Sequence, residues 1–186
     1  MLLAVLVPTV LFVTTSSSAE DAMTPMLTKC SEMHDVAVVD LTVTSNSGSN
    51  MLNVSFTMDV VKSLQTNVTL EVAMVDEGMT SLIPCIEDVG SCEYKLCGGN
   101  SSMEMNITEA WSNTCPIPPS KYHVSLVLDL TKNSHLTSGN AMKVFNYTFE
   151  DNGTVAGCVS FEVHVPPGSG SSAPSPTAFH VSWILL

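Results

Sequence analysis

Period two dominates the middle of this chain. Leu52, Val54, Phe56, Met58 and Val60 alternate with Asn53, Ser55, Thr57 and Asp59, and Val68, Leu70, Val72 and Met74 alternate with Asn67, Thr69, Glu71 and Ala73. Further on, Val124, Leu126, Leu128 and Leu130 alternate with Ser125, Val127 and Asp129. The same holds for Phe145, Tyr147 and Phe149 against Val144, Asn146 and Thr148, and for Val159, Phe161, Val163 and Val165 against Ser160, Glu162 and His164. With residues 36–43 this makes at least six strands. Successive side chains of a strand point to opposite faces, so strict alternation describes a strand with one face buried and one wet, as in antiparallel sheets. Turn-forming runs at 45–50, 76–78 and 151–153 separate the strands, and Asn152-Gly153 is a hairpin signal. No helix-period segment of useful length and no internal repeat is visible. The pattern predicts an all-β sandwich or barrel.

The chain's two ends read differently. Residues 1–13 are almost wholly apolar and are followed by Thr14, Thr15, Ser16, Ser17, Ser18 and Ala19. This is the pattern of a secretory signal, too short to span a bilayer, with cleavage expected after Ala19. A Pro-, Ser- and Gly-rich linker follows Val165, and residues 178–186 form a short apolar tail interrupted by His180. A lipid-anchor signal needs a longer spacer and tail, so the segment is read as a disordered tail. The expected division is a signal peptide at 1–19, one folded domain at 20–165, and linker and tail at 166–186.

Six cysteines, Cys30, Cys85, Cys92, Cys97, Cys115 and Cys158, form an even set behind the signal and read as a disulfide framework whose pairing arithmetic leaves open. Zinc would need two C-x₂₋₄-C pairs, and beside Cys92 and Cys97 there is no second. Six N-x-[ST] sequons, at Asn53, Asn67, Asn100, Asn106, Asn146 and Asn152, agree with a secretory route. Asn53, Asn67 and Asn146 fall on the polar phase of their strands.

The net charge of −12, with six lysines and no arginine, excludes nucleic acid as a partner, because phosphate neutralisation needs clustered cations. Signatures of catalysis are absent: no G-x-S-x-G, no H-E-x-x-H, no Gly-rich phosphate loop. His34, His123, His135, His164 and His180 are dispersed, and Glu87-Asp88 and Glu150-Asp151 lie beside turns. No enzyme and no cofactor are expected. Aromatics make up only 6% of the chain and methionines number 11, with Met58 and Met74 at inward phases and Met103 and Met105 in the 97–119 region. An aliphatic, methionine-containing interior suits adaptable apolar guests as well as an ordinary core. The 97–119 region, with two sequons and a run of prolines, reads as a long loop stapled at its ends. Its Trp111 has two readings: a cover on the core edge, or an indole that dips into a membrane interface.

The segment 84–97, with Cys85, the run Val89-Gly90-Ser91-Cys92, Tyr94 and Cys97, resembles the cysteine cluster of the ganglioside activator in the ML lipid-recognition family. Cys115-Pro116-Ile117-Pro118 followed by Tyr122, the turn Leu136-Thr137-Ser138-Gly139-Asn140 and the step Gly157-Cys158-Val159 resemble further motifs of that family, in the same order, from Cys30 to Val165. The resemblance implies an immunoglobulin-like antiparallel β-sandwich, its two sheets splayed around an apolar lipid cavity. It also implies the pairs Cys30–Cys158, Cys85–Cys92 and Cys97–Cys115. A true immunoglobulin domain would place Tyr two residues before its second bridging cysteine, and Ala156 stands there. The Cys97–Cys115 loop is shorter than the activator's and lacks its additional cysteine pair, so the resemblance does not extend to ganglioside specificity or a glycosidase partner.

The expected function is a secreted, non-enzymatic lipid-binding and lipid-transfer protein, extracellular or lysosomal. Acyl chains would lie against Leu52, Val54, Phe56, Met58, Val68, Leu70, Val72, Met74, Leu126 and Leu128, with Trp111 at the mouth. Expected partners are a lipid (acyl chain, phospholipid, glycolipid or sterol) and, transiently, a membrane. The alternative is a secreted binding module, an immune or decoy ligand, with a solid core and no lipid cargo.

Overall fold

A computed structural model of the chain describes residues 20–32, 35–46, 50–78, 80–138 and 141–165. The expected signal segment 1–19, His34, Gly139, Asn140 and the linker and tail at 166–186 lie outside the described residues. Nine strands are described: β1 (Glu20–Met23), β2 (Thr28–Lys29), β3 (Val36–Asn46), β4 (Met51–Val60), β5 (Val68–Asp76), β6 (Glu93–Lys95), β7 (Ser120–Asp129), β8 (Met142–Asp151) and β9 (Thr154–His164). They form two antiparallel sheets, β1-β3-β4-β7 and β2-β9-β8-β5-β6, which face each other as a sandwich. The all-β expectation holds, and its strict alternation is the reason: β4, β5, β7 and β8 each bury every second residue.

Strand β3 departs from a single period. Val36 and Val38 are buried, then Leu41 and Val43, so the inward phase changes parity. A break in register between Val39 and Thr42, with Asp40 at φ 54°, absorbs the extra residue and returns the apolar side chains to the core. At the other hairpin, Asn152 and Gly153 take φ 52° and 75° between the paired residues Asp151 and Thr154, the conformation a two-residue turn needs to follow the twist of its strands.

The 97–119 region is not simply a loop. Ser102–Thr108 forms helix α1, continued by a 3₁₀ turn at Glu109–Trp111. Seven residues are too few to show a helical period, but the start carries a capping box: Ser101 Oγ accepts from Glu104 N, and the Glu104 carboxylate accepts from Ser101 N. A second short helix, α2 (Ser134–Thr137), lies between β7 and β8.

Three disulfides link Cys30 with Cys158, Cys85 with Cys92, and Cys97 with Cys115, the pairs the family resemblance implies. The first ties the end of β2 to β9 within one sheet. The third joins the connection after β6 to the connection before β7, so it bridges the two sheets at one end of the sandwich. Close approach of the sheets along one side depends on Gly157, where a Cβ would stand 2.1 Å from the Val36 carbonyl oxygen.

Candidate functional site

The space between the sheets is the candidate site. Leu52, Val54, Phe56 and Met58 come from β4, Leu126 and Leu128 from β7, and Val68, Leu70, Val72 and Met74 from β5 of the opposite sheet. All ten are buried in one apolar cluster. Both sheets contribute because β4 pairs with β7, Leu52 opposite Leu128 and Val54 opposite Leu126, while β5 pairs with β8. The cluster extends to Phe145, Tyr147 and Phe149 of β8 and to Phe161 of β9, which complete the floor of the second sheet. These four were within reach of sequence reasoning, since the alternation of β8 and β9 already assigns them the inward phase.

The facing side chains meet. The Phe56 ring of one sheet and the Tyr147 ring of the other are in edge contact, centroids 5.7 Å apart. Tyr147 also stands edge-on to Phe161 at 5.1 Å, and Phe161 stacks with Phe145 at 5.4 Å. A cleft lies along the seam of β3 and β9, lined by Leu27, Val36, Val38 and Val159 among others, with a volume of about 100 Å³. Ligand pockets for small molecules run to roughly 300–1,000 Å³, so this seam holds a whole lipid only if the sheets part further.

Polar groups that reach this interior are held neutral or paired. Burial pushes the Tyr147 phenol well above its ordinary pKa, with Tyr94 adding to the effect. Burial, then the neighbouring Asp88, does the same to Tyr94, whose hydroxyl donates to the Asp88 carbonyl oxygen at 2.9 Å. Asn133 is fully buried at the edge of the cluster. Its amide donates to the carbonyl oxygens of Pro84 at 2.7 Å and Val89 at 2.8 Å, and so ties the Cys85–Cys92 loop to the β7–β8 connection. The loop itself is a tight hairpin. Ile86 and Val89 exchange backbone hydrogen bonds around Glu87 and Asp88, both at positive φ. Leu82, just ahead of this loop, and Ile86 within it are exposed.

Trp111 takes the first of its two readings. Its ring is buried, its Nε1 donates to the Leu96 carbonyl oxygen at 2.9 Å, and it packs edge-on against Tyr122 at 5.4 Å. With its polar atom engaged inside the protein, the indole closes the edge of the core and presents no face to a membrane interface. Met103 and Met105 both stand on α1, the first buried and the second exposed.

The six sequon asparagines avoid the interior. Asn67, Asn100, Asn106 and Asn152 are exposed, and Asn53 and Asn146 lie half-buried on the outer faces of the two sheets. His123, His135 and His164 are exposed. Among the described residues no group of three or more His, Cys, Asp and Glu is placed to hold a metal, and no helix is long and apolar enough to cross a membrane.

Lys143 was missed by sequence reasoning. It shares the parity of Phe145, Tyr147 and Phe149, so strand phase places it inward, but its charge argues for the surface. The structure buries it completely.

No protein-family model matches this chain. A comparison with curated proteins finds no match. Among solved structures, the chain is similar to a Niemann-Pick type C2 protein from the Japanese carpenter ant, with a TM-score of 0.46 and 12% identity over 74% of this chain and 96% of that one.

Proposed function

We propose that this protein is a non-catalytic carrier that binds lipid acyl chains between its two sheets and transfers them. The observation that carries this reading is the composition and placement of the facing rows: aliphatic and methionine side chains from both sheets, buried in one cluster. Burying each methylene of a guest there is worth roughly 0.8 kcal/mol, so a long chain is held without polar contact. Parting of the sheets is easiest away from the Cys97–Cys115 bridge, which fixes them at one end. The ordered set of motifs shared with the ML lipid-recognition family supports the same reading. Likeness to the ganglioside activator within that family rests on the cysteine cluster alone, and a glycosidase partner is not part of the proposal.

The proposal includes the secretory route, with the described domain following a cleaved signal at 1–19 and preceding a linker and tail at 166–186. Three disulfides require an oxidising compartment to form, and six outward asparagines in sequons are its proposed N-glycan sites. Extracellular fluid and the lysosome both lie on that route.

Mass spectrometry of protein secreted from cultured cells, together with displacement of a fluorescent fatty acid, tests the carrier. Co-purified lipid and saturable displacement are expected. Absence of both overturns the reading. One observation favours a second reading, a secreted binding module with a solid core: the Phe56–Tyr147 contact across the sheets. That reading expects a chain that never yields lipid in either measurement.

A further inference from the structure

Lys143 is the sole charged side chain among the described strand residues that is buried. It stands on the inward face of β8, directly opposite Asp76 on β5 and Val163 on β9. Asp76 continues the inward row of Val72 and Met74, so the two charged groups end the apolar floor formed by Met74, Phe145 and Val163. The Lys143 ammonium donates to the Asp76 carboxylate and to the Ser138 carbonyl oxygen, the latter at 2.8 Å. Its side chain is 0% exposed and that of Asp76 is 15% exposed, so Asp76 has a route to water that Lys143 lacks.

This pair lies at one pole of the sandwich. Leu96 N donates to Val68 O at the start of β5, which places the Trp111 edge there, while Asp76 ends the strand. At ~3.3 Å per residue the two poles of β5 are about 26 Å apart. A buried ion pair is a poor source of stability, because desolvation of two charges offsets their attraction, and an apolar replacement of similar volume often does as well. An inward lysine at the end of an apolar floor needs another reason.

We propose that Lys143 is the head-group anchor of the carrier, a site for an anionic oxygen head, the carboxylate of a fatty acid or the phosphate of a single-chain lipid. The inference rests on the carrier reading above. In the empty protein Asp76 is the resident counter-ion. On binding, the head group takes its place and Asp76 turns to water, so the ammonium keeps one counter-ion throughout; a carboxylate leaves the net charge of the interior unchanged, and a phosphate adds up to one further negative charge. The tail then runs from this pole along Met74 and Phe145.

Equilibrium binding of oleate, oleyl alcohol and oleoyl lysophosphatidate to the glycosylated protein tests the anchor. All three share one tail. A charge-assisted hydrogen bond predicts about tenfold or greater preference for oleate or the phosphate over the alcohol. K143M keeps the volume and is expected to abolish the preference for the two anions over the alcohol, since the Asp76 carboxylate remains. D76N removes the competing counter-ion and is expected to tighten the anions severalfold while leaving the alcohol unchanged, with circular dichroism verifying the fold. The better of the two anions identifies the head. Equal binding of acid, phosphate and alcohol by the unaltered protein overturns the anchor and leaves the carrier intact, as does a preference that survives K143M. Failure of all three lipids to bind overturns the carrier itself.

Discussion

Single side chains hold the two irregular regions to the sandwich. Glu104 is the pivot of one. Its carboxylate accepts from Lys95 N at 2.9 Å, Asn100 N at 2.8 Å and Ser101 N at 3.0 Å. Gly99 makes the room, since a Cβ there would meet Glu104 Cβ at 2.7 Å. Burial pushes the carboxyl up, but the three backbone N–H donors, helped by the Lys95 charge, outweigh it and hold the pKa below the ordinary value. A lowered folded-state pKa contributes stability above the unfolded value, about 4.3 for Glu, and loses it as pH falls through the lower folded value. Glu104→Gln is therefore expected to cost about 1–3 kcal/mol at pH 7, with the deficit shrinking below about pH 4, as read by urea denaturation at several pH values. Asn133 holds the other region. Removing its amide in Asn133→Ala takes the donor from the Pro84 carbonyl and one of two from the Val89 carbonyl, which keeps Ile86 N, and should cost about 1–3 kcal/mol in the same measurement.

At the level of elements, the turns decide which strands become neighbours. The β8–β9 hairpin depends on two successive residues at positive φ, and Gly153 adopts that conformation without steric cost. Gly153→Ala should destabilise by about 1 kcal/mol without changing the sheet order, visible as a lower melting temperature with an unaltered circular dichroism spectrum. Legibility in the sequence follows the same division. The long strands β4, β5, β7, β8 and β9 could be read because each repeats its period several times. Helix α1 could not, because seven residues barely complete two turns. The signal that identifies it is the pair Ser101 and Glu104, three residues apart, ahead of Ile107. In β3 the period itself breaks at the bulge, so neither phase describes the whole strand.

For the molecule as a whole, covalent links set how the sheets are tied. Cys30 and Cys158 are 128 residues apart, and Cys97 and Cys115 are 18 apart. In the chain-entropy model the longer closure restricts the unfolded chain more, so the double Cys→Ser variants should lose about 5 and about 3 kcal/mol respectively. Denaturation midpoints of the two variants check the order. Removing Cys97–Cys115 also removes the one disulfide that bridges the sheets, among the described residues. On the carrier reading it should speed lipid exchange, measured as transfer of a fluorescent fatty acid between vesicles.

The amino-acid sequence by itself determined the all-β class and the inward phase of the five long strands, and with it the ten apolar side chains of β4, β5 and β7 that meet in the interior, because period two is a local property that each strand carries alone. What lies across from what was settled only by tertiary structure. Nothing local sets Phe56 against Tyr147, seats the Trp111 indole on Leu96 rather than in solvent, or buries Lys143 beside Asp76. Those contacts join residues far apart in the chain. Lys143 is buried where a carboxylate from another strand arrives to meet it.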